Sequence, residues 1–142
     1  MTFDPLTLFL RADGRVRVNV DLLYPPFRLK LLDALTRAHD RGQDYYPTSG
    51  TRLYAEQAAL YDAFRKGGAR AAPPGLSSHQ YGLAVDCAPD ANPGKAGLQP
   101  DYRAAAYKIL GEEAKRVGLV WGAAFNDNPH VQAAASDVNL VI

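Results

Sequence analysis

Ser77-Ser78-His79-Gln80-Tyr81-Gly82-Leu83-Ala84-Val85-Asp86 sets a histidine and an aspartate seven positions apart, with a glycine between them. On a helix that spacing is about two turns and would put both side chains on one face. Gly82 and the β-prone Leu83-Ala84-Val85 argue against a helix here. On an unbroken strand, an odd separation would put the two on opposite faces. A bend at Gly82 must therefore bring them together, with a short strand following over residues 83–88. Asp86 is anomalous in that apolar run, because a buried charge needs a partner. Alternation aims Cys87 at the other face, so this lone cysteine belongs to the core and excludes both a disulfide and a cysteine-based zinc finger.

Farther along the chain, Asp127-Asn128-Pro129-His130-Val131-Gln132 offers a second histidine with a carboxylate three residues before it. Pro129 biases Asn128 toward extended backbone, so His130 starts or lies on a strand and shares a face with Gln132. His79, Asp86 and His130 form a donor set suited to Zn²⁺. Three protein ligands leave a position open for water, the arrangement a catalytic zinc needs. Asp127, if it does not ligate, can take a proton from that water and pass it to a leaving amine. On residue types alone a metal site and a pair of structural histidines both fit. His39, near a helix C-terminus, is set aside as structural.

The rest of the chain supplies a scaffold. Its 142 residues suffice for one domain with a core of its own, and we expect a single domain over residues 1–142. Sixteen basic against fifteen acidic residues give a net charge of +1, which offers no bulk electrostatic basis for binding nucleic acid. The apolar N-terminal stretch lacks a basic leader and is broken by Asp4 and Pro5, so neither a signal peptide nor membrane insertion is expected. The expectation is a monomer made in the cytoplasm.

Residues 15–20 alternate polar and apolar after the Asp13-Gly14 turn, as a strand or hairpin arm does. Helices are expected over 27–41, 53–66 and 102–117, closed by Gly42, Gly67-Gly68 and Gly118, with Asp101 capping the third. The second carries apolar residues at Ala55, Ala59, Leu60, Ala63 and Phe64. Strand signals fall at 45–52, 83–88, 119–122 and weakly at 138–142. Short strands mixed with helices favour an α+β fold with a small antiparallel sheet and flanking helices.

Ser77-x-His79-x-x-Gly82-x-Ala84-x-Asp86 followed by Asp127-x-Pro129-His130-x-Gln132 resembles the zinc peptidases of the M15 family, the VanY-like D-alanyl-D-alanine carboxypeptidases, and most of all its phage endolysin branch that cleaves L-alanyl–D-glutamate bonds. Ser49-Gly50-Thr51-Arg52, Glu56-Gln57, Leu60-Tyr61 and Trp121-Gly122 also match, so the likeness runs over about residues 22–132. The resemblance implies the hedgehog/DD-peptidase-like zinc peptidase fold and one zinc held by His79, Asp86 and His130. It implies Asp127 as general base and Arg52 as the group that polarises the scissile carbonyl. Ser77, Gln57 and Gln132 would contact substrate or support the ligands. The implied substrate is a peptidoglycan peptide, reached by a holin-type or other route. Leu53 departs from the small polar residue usual after the arginine, and Val131 from the usual aromatic after the last histidine. A D-alanyl-D-alanine carboxypeptidase is the rival within the class, and a non-catalytic zinc-containing structural or cell-wall-binding module is the rival outside it.

Overall fold

The computed structural model describes residues 2–138. Four strands form one antiparallel sheet: β1 (Tyr45–Ser49), β2 (Ala84–Pro89), β3 (Leu119–Trp121) and β4 (His130–Ala133), in the order β1-β2-β4-β3. Two helices cover one face, α1 (Pro25–Asp40) and α3 (Lys108–Arg116), while α2 (Tyr54–Arg65) follows β1. The fold is α+β, as expected.

The core lies between the sheet and the α1/α3 pair. Helix α1 begins on Pro25 and Pro26, whose missing N–H groups cost nothing in a first turn. It buries Phe27, Leu31, Leu35 and Ala38, a stripe at helical spacing. They meet Val85 and Cys87 of β2, Val131 of β4, and Leu110 and Ala114 of α3. Each large apolar side chain removed from water here contributes about 1.5–3 kcal/mol. Tyr45 ties sheet to helix through its hydroxyl, which donates to Ala106 O at 2.6 Å and accepts from Leu110 N at 3.0 Å.

The register of the central strands positions the site. Asp86 pairs directly with His130, and Val85 with Val131. Alternation then sends Val85 and Val131 into the core and Asp86 and His130 to the opposite face. The β1–β2 register shifts between Pro47 and Ser49, so that Pro47 opposes Cys87 while Ser49 opposes Asp86. Without that bulge Ser49 would share the core side with Pro47; the extra residue re-aims it at the site.

Several expectations need correction. Residues 15–20 do not form a strand. Only a single bridge between Leu10 and Val16 survives, and the chain then enters a 3-10 turn at Val20–Leu22. Two-residue alternation does not describe burial there either, since Val18 is buried while Val16, two residues earlier, is exposed, and the segment has no neighbouring strand to pair with. The third helix starts later than expected. Asp101 accepts from Arg103 N in a local turn, a 3-10 turn occupies Ala104–Tyr107, and the α-helix proper begins at Lys108. Helix α2 forms, yet its apolar positions are not core: Leu60 and Phe64 are exposed, and Gln57 is its one buried residue. The expected edge strand at 138–142 lies almost wholly outside the described residues. Among those residues, no helix is long and apolar enough to cross a membrane.

Candidate metal centre and cleft

His79 sits in a 3-10 turn, Ser78–Tyr81, opened by Ser77, whose Oγ accepts from His79 N at 3.3 Å. Gly82 ends the turn at φ 68°, in the left-handed region. A Cβ there would also lie 2.5 Å from the Leu22 carbonyl oxygen, so two independent constraints require glycine. Its carbonyl accepts from Tyr24 N at 2.9 Å, which anchors the bend to the start of α1. This turn is the device that brings His79 back over Asp86 at the head of β2.

His79, Asp86 and His130 each offer one donor atom, and the three atoms lie within 4.8 Å of one another. Asp86 Oδ1 is 3.5 Å from His79 Nε2 and 3.4 Å from His130 Nδ1. Each imidazole has its other nitrogen engaged. His79 Nδ1 lies 3.0 Å from the Gly50 carbonyl; a carbonyl can only accept, so Nδ1 carries the proton and Nε2 faces Asp86 with a lone pair. His130 Nε2 donates to Gln132 Oε1 at 2.7 Å, which leaves Nδ1 for Asp86. Outer hydrogen bonds of this kind fix tautomer and ring orientation in histidine metal sites.

The donor set fits a divalent cation. Asp86 Oδ1 is buried and makes no hydrogen bond, an expensive state for a carboxylate oxygen. In the neutral tautomers two nitrogen lone pairs and an anionic oxygen converge with nothing positive between them. A cation among them would relieve that repulsion, and a nitrogen–oxygen–nitrogen set suits zinc. Without an ion, the charges adjust. Burial disfavours the Asp86 charge, yet the facing imidazoles of His130 and His79 outweigh it and hold the carboxyl well below the usual carboxylate range. Burial pulls the His130 imidazole down, but Asp86 and Gln132 more than offset this and leave it above the ordinary value of 6.5.

Arg52 stands behind the aspartate. Its Nη2 donates to Asp86 Oδ2 at 3.3 Å and to Ser49 Oγ at 3.0 Å, and its Nη1 to Gln57 Oε1 at 3.2 Å. One Asp86 oxygen is thus held by the guanidinium and the other left for the ion position. Gln57 is 1% exposed and spends its amide on Ala72 O at 2.8 Å, so it ties Arg52 to the 69–72 loop. Asp127 follows a 3-10 turn, Gly122–Phe125, and Asn126 at φ 62°. Its Oδ2 is 3.9 Å from His130 Nδ1, and its side chain remains half exposed. Burial and the nearby Asp86 charge raise its carboxyl above the ordinary value, against a partial pull from His130, His79 and Arg52.

These side chains line a cleft of about 470 Å³, with Leu76, Arg70 and Phe125 also on its wall. The structure therefore gathers all eight expected residues on one side of the sheet: His79, Asp86, His130, Asp127, Arg52, Ser77, Gln57 and Gln132. Arg52 is more committed to Asp86 than expected, and Gln57 is an interior strut. Three contributors escaped the sequence. Ser49 and the Gly50 carbonyl act through a bulge and a backbone atom, which side-chain patterns do not reveal. Phe125, edge-on to His130 at 5.4 Å between ring centroids, carries no local signal.

Residues 70–133 match the family model described as D-alanyl-D-alanine carboxypeptidase. By sequence, no curated protein matches the chain. Among solved structures it is similar to the Serratia marcescens L-Ala D-Glu endopeptidase ChiX, with 21% identity, TM-score 0.58, and 91% of this chain and 90% of that one covered. It is similar also to the D,D-pentapeptidase VanY of a VanB-type vancomycin resistance cassette, crystallised with Zn(II), at 20% identity and TM-score 0.62, covering 92% and 89%. DacB of Streptococcus pneumoniae D39 follows at 21% identity and TM-score 0.55, covering 90% and 76%. At such identities the likeness is one of fold. Fold, cleft and matched segment together define a hydrolase acting on peptide bonds. Within that class, residues 70–133 and the overall fold resemble those of the M15-type peptidases.

Proposed function

We propose that the chain is a zinc-dependent peptidase of peptidoglycan, cleaving L-alanyl–D-glutamate bonds in the stem peptide in the manner of a phage endolysin. The observation that carries this reading is the convergence of His79, Asp86 and His130 on a cleft where an unengaged carboxylate, Asp127, stands beside the set. The size-matched likeness to an L-Ala D-Glu endopeptidase supports the bond assignment. The description of the matching family supports a second reading, removal of terminal D-alanine as a D-alanyl-D-alanine carboxypeptidase. A monomer that reaches the wall from the cytoplasm by a holin-type route completes the proposal.

In this reading His79, Asp86 and His130 hold the zinc, which when bound supplies Lewis-acid charge to a carbonyl and lowers the pKa of water. Gly50 and Gln132 keep the two imidazoles in the ligating tautomer. Asp127 takes a proton from the attacking water, whose oxygen joins the carbonyl carbon. The C–N bond breaks, and Asp127 delivers the proton to the departing amine. The N–H groups of Arg52 not engaged by Asp86, Ser49 and Gln57 stabilise negative charge developing on the carbonyl oxygen. Ser77 and Gln57 shape the floor beneath the substrate.

Mass spectrometry of a purified muropeptide digest tests the proposal. New termini between L-alanine and D-glutamate are expected. Free D-alanine would select the second reading. Zinc-loaded protein that cleaves no muropeptide would refute hydrolysis and leave a structural or wall-binding module.

A further inference from the structure

Arg70 is the one charged residue of the cleft wall left without a task. Arg52 is neutralised by Asp86 and held on three sides. Among the described residues Arg70 has neither an ion pair nor a hydrogen bond, and it lines the same cleft as Asp127 and His130. It is not on a free-swinging segment: two residues on, the Ala72 carbonyl is pinned by the buried Gln57 amide, the same side chain that braces Arg52. Next to it in the wall stand the small Ala69 and Ala71, with the exposed Leu76 beyond. The cleft thus places one accessible guanidinium within reach of a substrate lying across the His–Asp–His set.

We infer that Arg70 selects substrates bearing a free carboxylate near the scissile bond. A guanidinium presents parallel N–H donors that match a carboxylate in two-point contact. This inference rests on the peptidase reading above. Stem peptides offer that chemistry from two sources: the α-carboxylate of a γ-linked D-glutamate, and the C-terminal carboxylate of the terminal D-alanine. An amide at either place is nearly isosteric but uncharged, and it would place N–H donors against N–H donors.

Three synthetic pentapeptide stems separate the sources: one with both carboxylates free, one amidated at the D-glutamate α-carboxyl, and one amidated at the C-terminus. KM and kcat are measured for wild type, Arg70→Ala and Arg70→Lys. One of the two amidations should raise the wild-type KM roughly tenfold, the low end for a hydrogen bond to a charged group at an accessible site. That amidation identifies the carboxylate. In Arg70→Ala the same amidation should cost less than twofold, and Arg70→Lys should keep part of the preference as a point charge. Wild-type indifference to both amidations overturns the inference, as does an amidation penalty that persists in Arg70→Ala. If wild type cleaves none of the three, the peptidase reading itself falls and this inference with it.

Discussion

Replacing Asp127 by alanine should separate metal binding from hydrolysis. The carboxylate makes no hydrogen bond among the described residues, and its nearest charged partner, His130 Nδ1, is 3.9 Å away. Its backbone does the structural work, with N donating to Gly122 O at 2.8 Å and O accepting from His130 N at 3.1 Å; both survive the substitution. A half-exposed side chain with no packing role should change stability by no more than about 0.5 kcal/mol. The loss of a positioned base costs roughly 10²–10⁴ in rate, which is about 2.7–5.4 kcal/mol of barrier at 1.36 kcal/mol per tenfold. The variant should therefore bind about one zinc per chain and melt like wild type, yet turn over muropeptides at least 100-fold more slowly. Zinc content by elemental mass spectrometry, melting by circular dichroism and turnover by liquid chromatography make the three measurements. Zinc lost together with activity would make Asp127 a ligand; activity retained with zinc bound would remove it from the chemistry. Either result refutes the assignment of roles.

Three further outcomes are expected. Gln132→Ala strips His130 of the acceptor that fixes its tautomer and should weaken zinc binding by roughly 10–100-fold, read by competition with a chelating indicator; unchanged affinity would make Gln132 a substrate contact only. Gly111→Ala would place a Cβ 2.2 Å from Trp121 Cε3, deep in the α3–β3 contact, and should destabilise by about 1–3 kcal/mol in denaturant titration; stability within error of wild type would show that the indole moves freely. In the metal-free protein, His130 is raised above 6.5, so the stability it contributes is fully present below that unfolded value and is lost as pH rises through the raised one. Asp86 is lowered, so its contribution is present above its unfolded value, 3.8, and is lost only as pH falls well below that. Metal-free melting temperature should fall as pH rises above 6.5, and zinc should suppress that fall. A rise over the same range would contradict the charge arrangement.

The clustering of His79, Asp86 and His130 was legible because its signals are local. A glycine between a polar turn and an apolar strand announces the bend, and a lone aspartate among β-prone apolar residues announces a compensated charge. Helix α1 was legible for the same reason, since its stripe and its proline start lie within one segment. Helix α2 misled because periodicity shows where apolar residues cluster but not what lies opposite. It faces a polar site and not the core, so Gln57 is buried while Leu60 and Phe64 stay in solvent. The segment at 15–20 misled because alternation is necessary for a half-buried strand but a partner strand must also be present. The bulge that turns Ser49 toward Arg52 depends on the pairing of β1 with β2, which no single stretch encodes.

The pairing of Asp86 with His130 has one more consequence. Two of the three proposed ligands are rungs of the same ladder, so the site exists only when β2 and β4 meet in this register. A slip by one residue would oppose Asp86 with Val131 or Pro129 and turn one of the two ligands away, while leaving a sheet of similar strand content. Ellipticity would scarcely register such a molecule, but it could not load metal. If the proposed site takes up zinc, bound zinc per chain would therefore act as a proofreader of folding, counting the molecules whose central strands are correctly aligned.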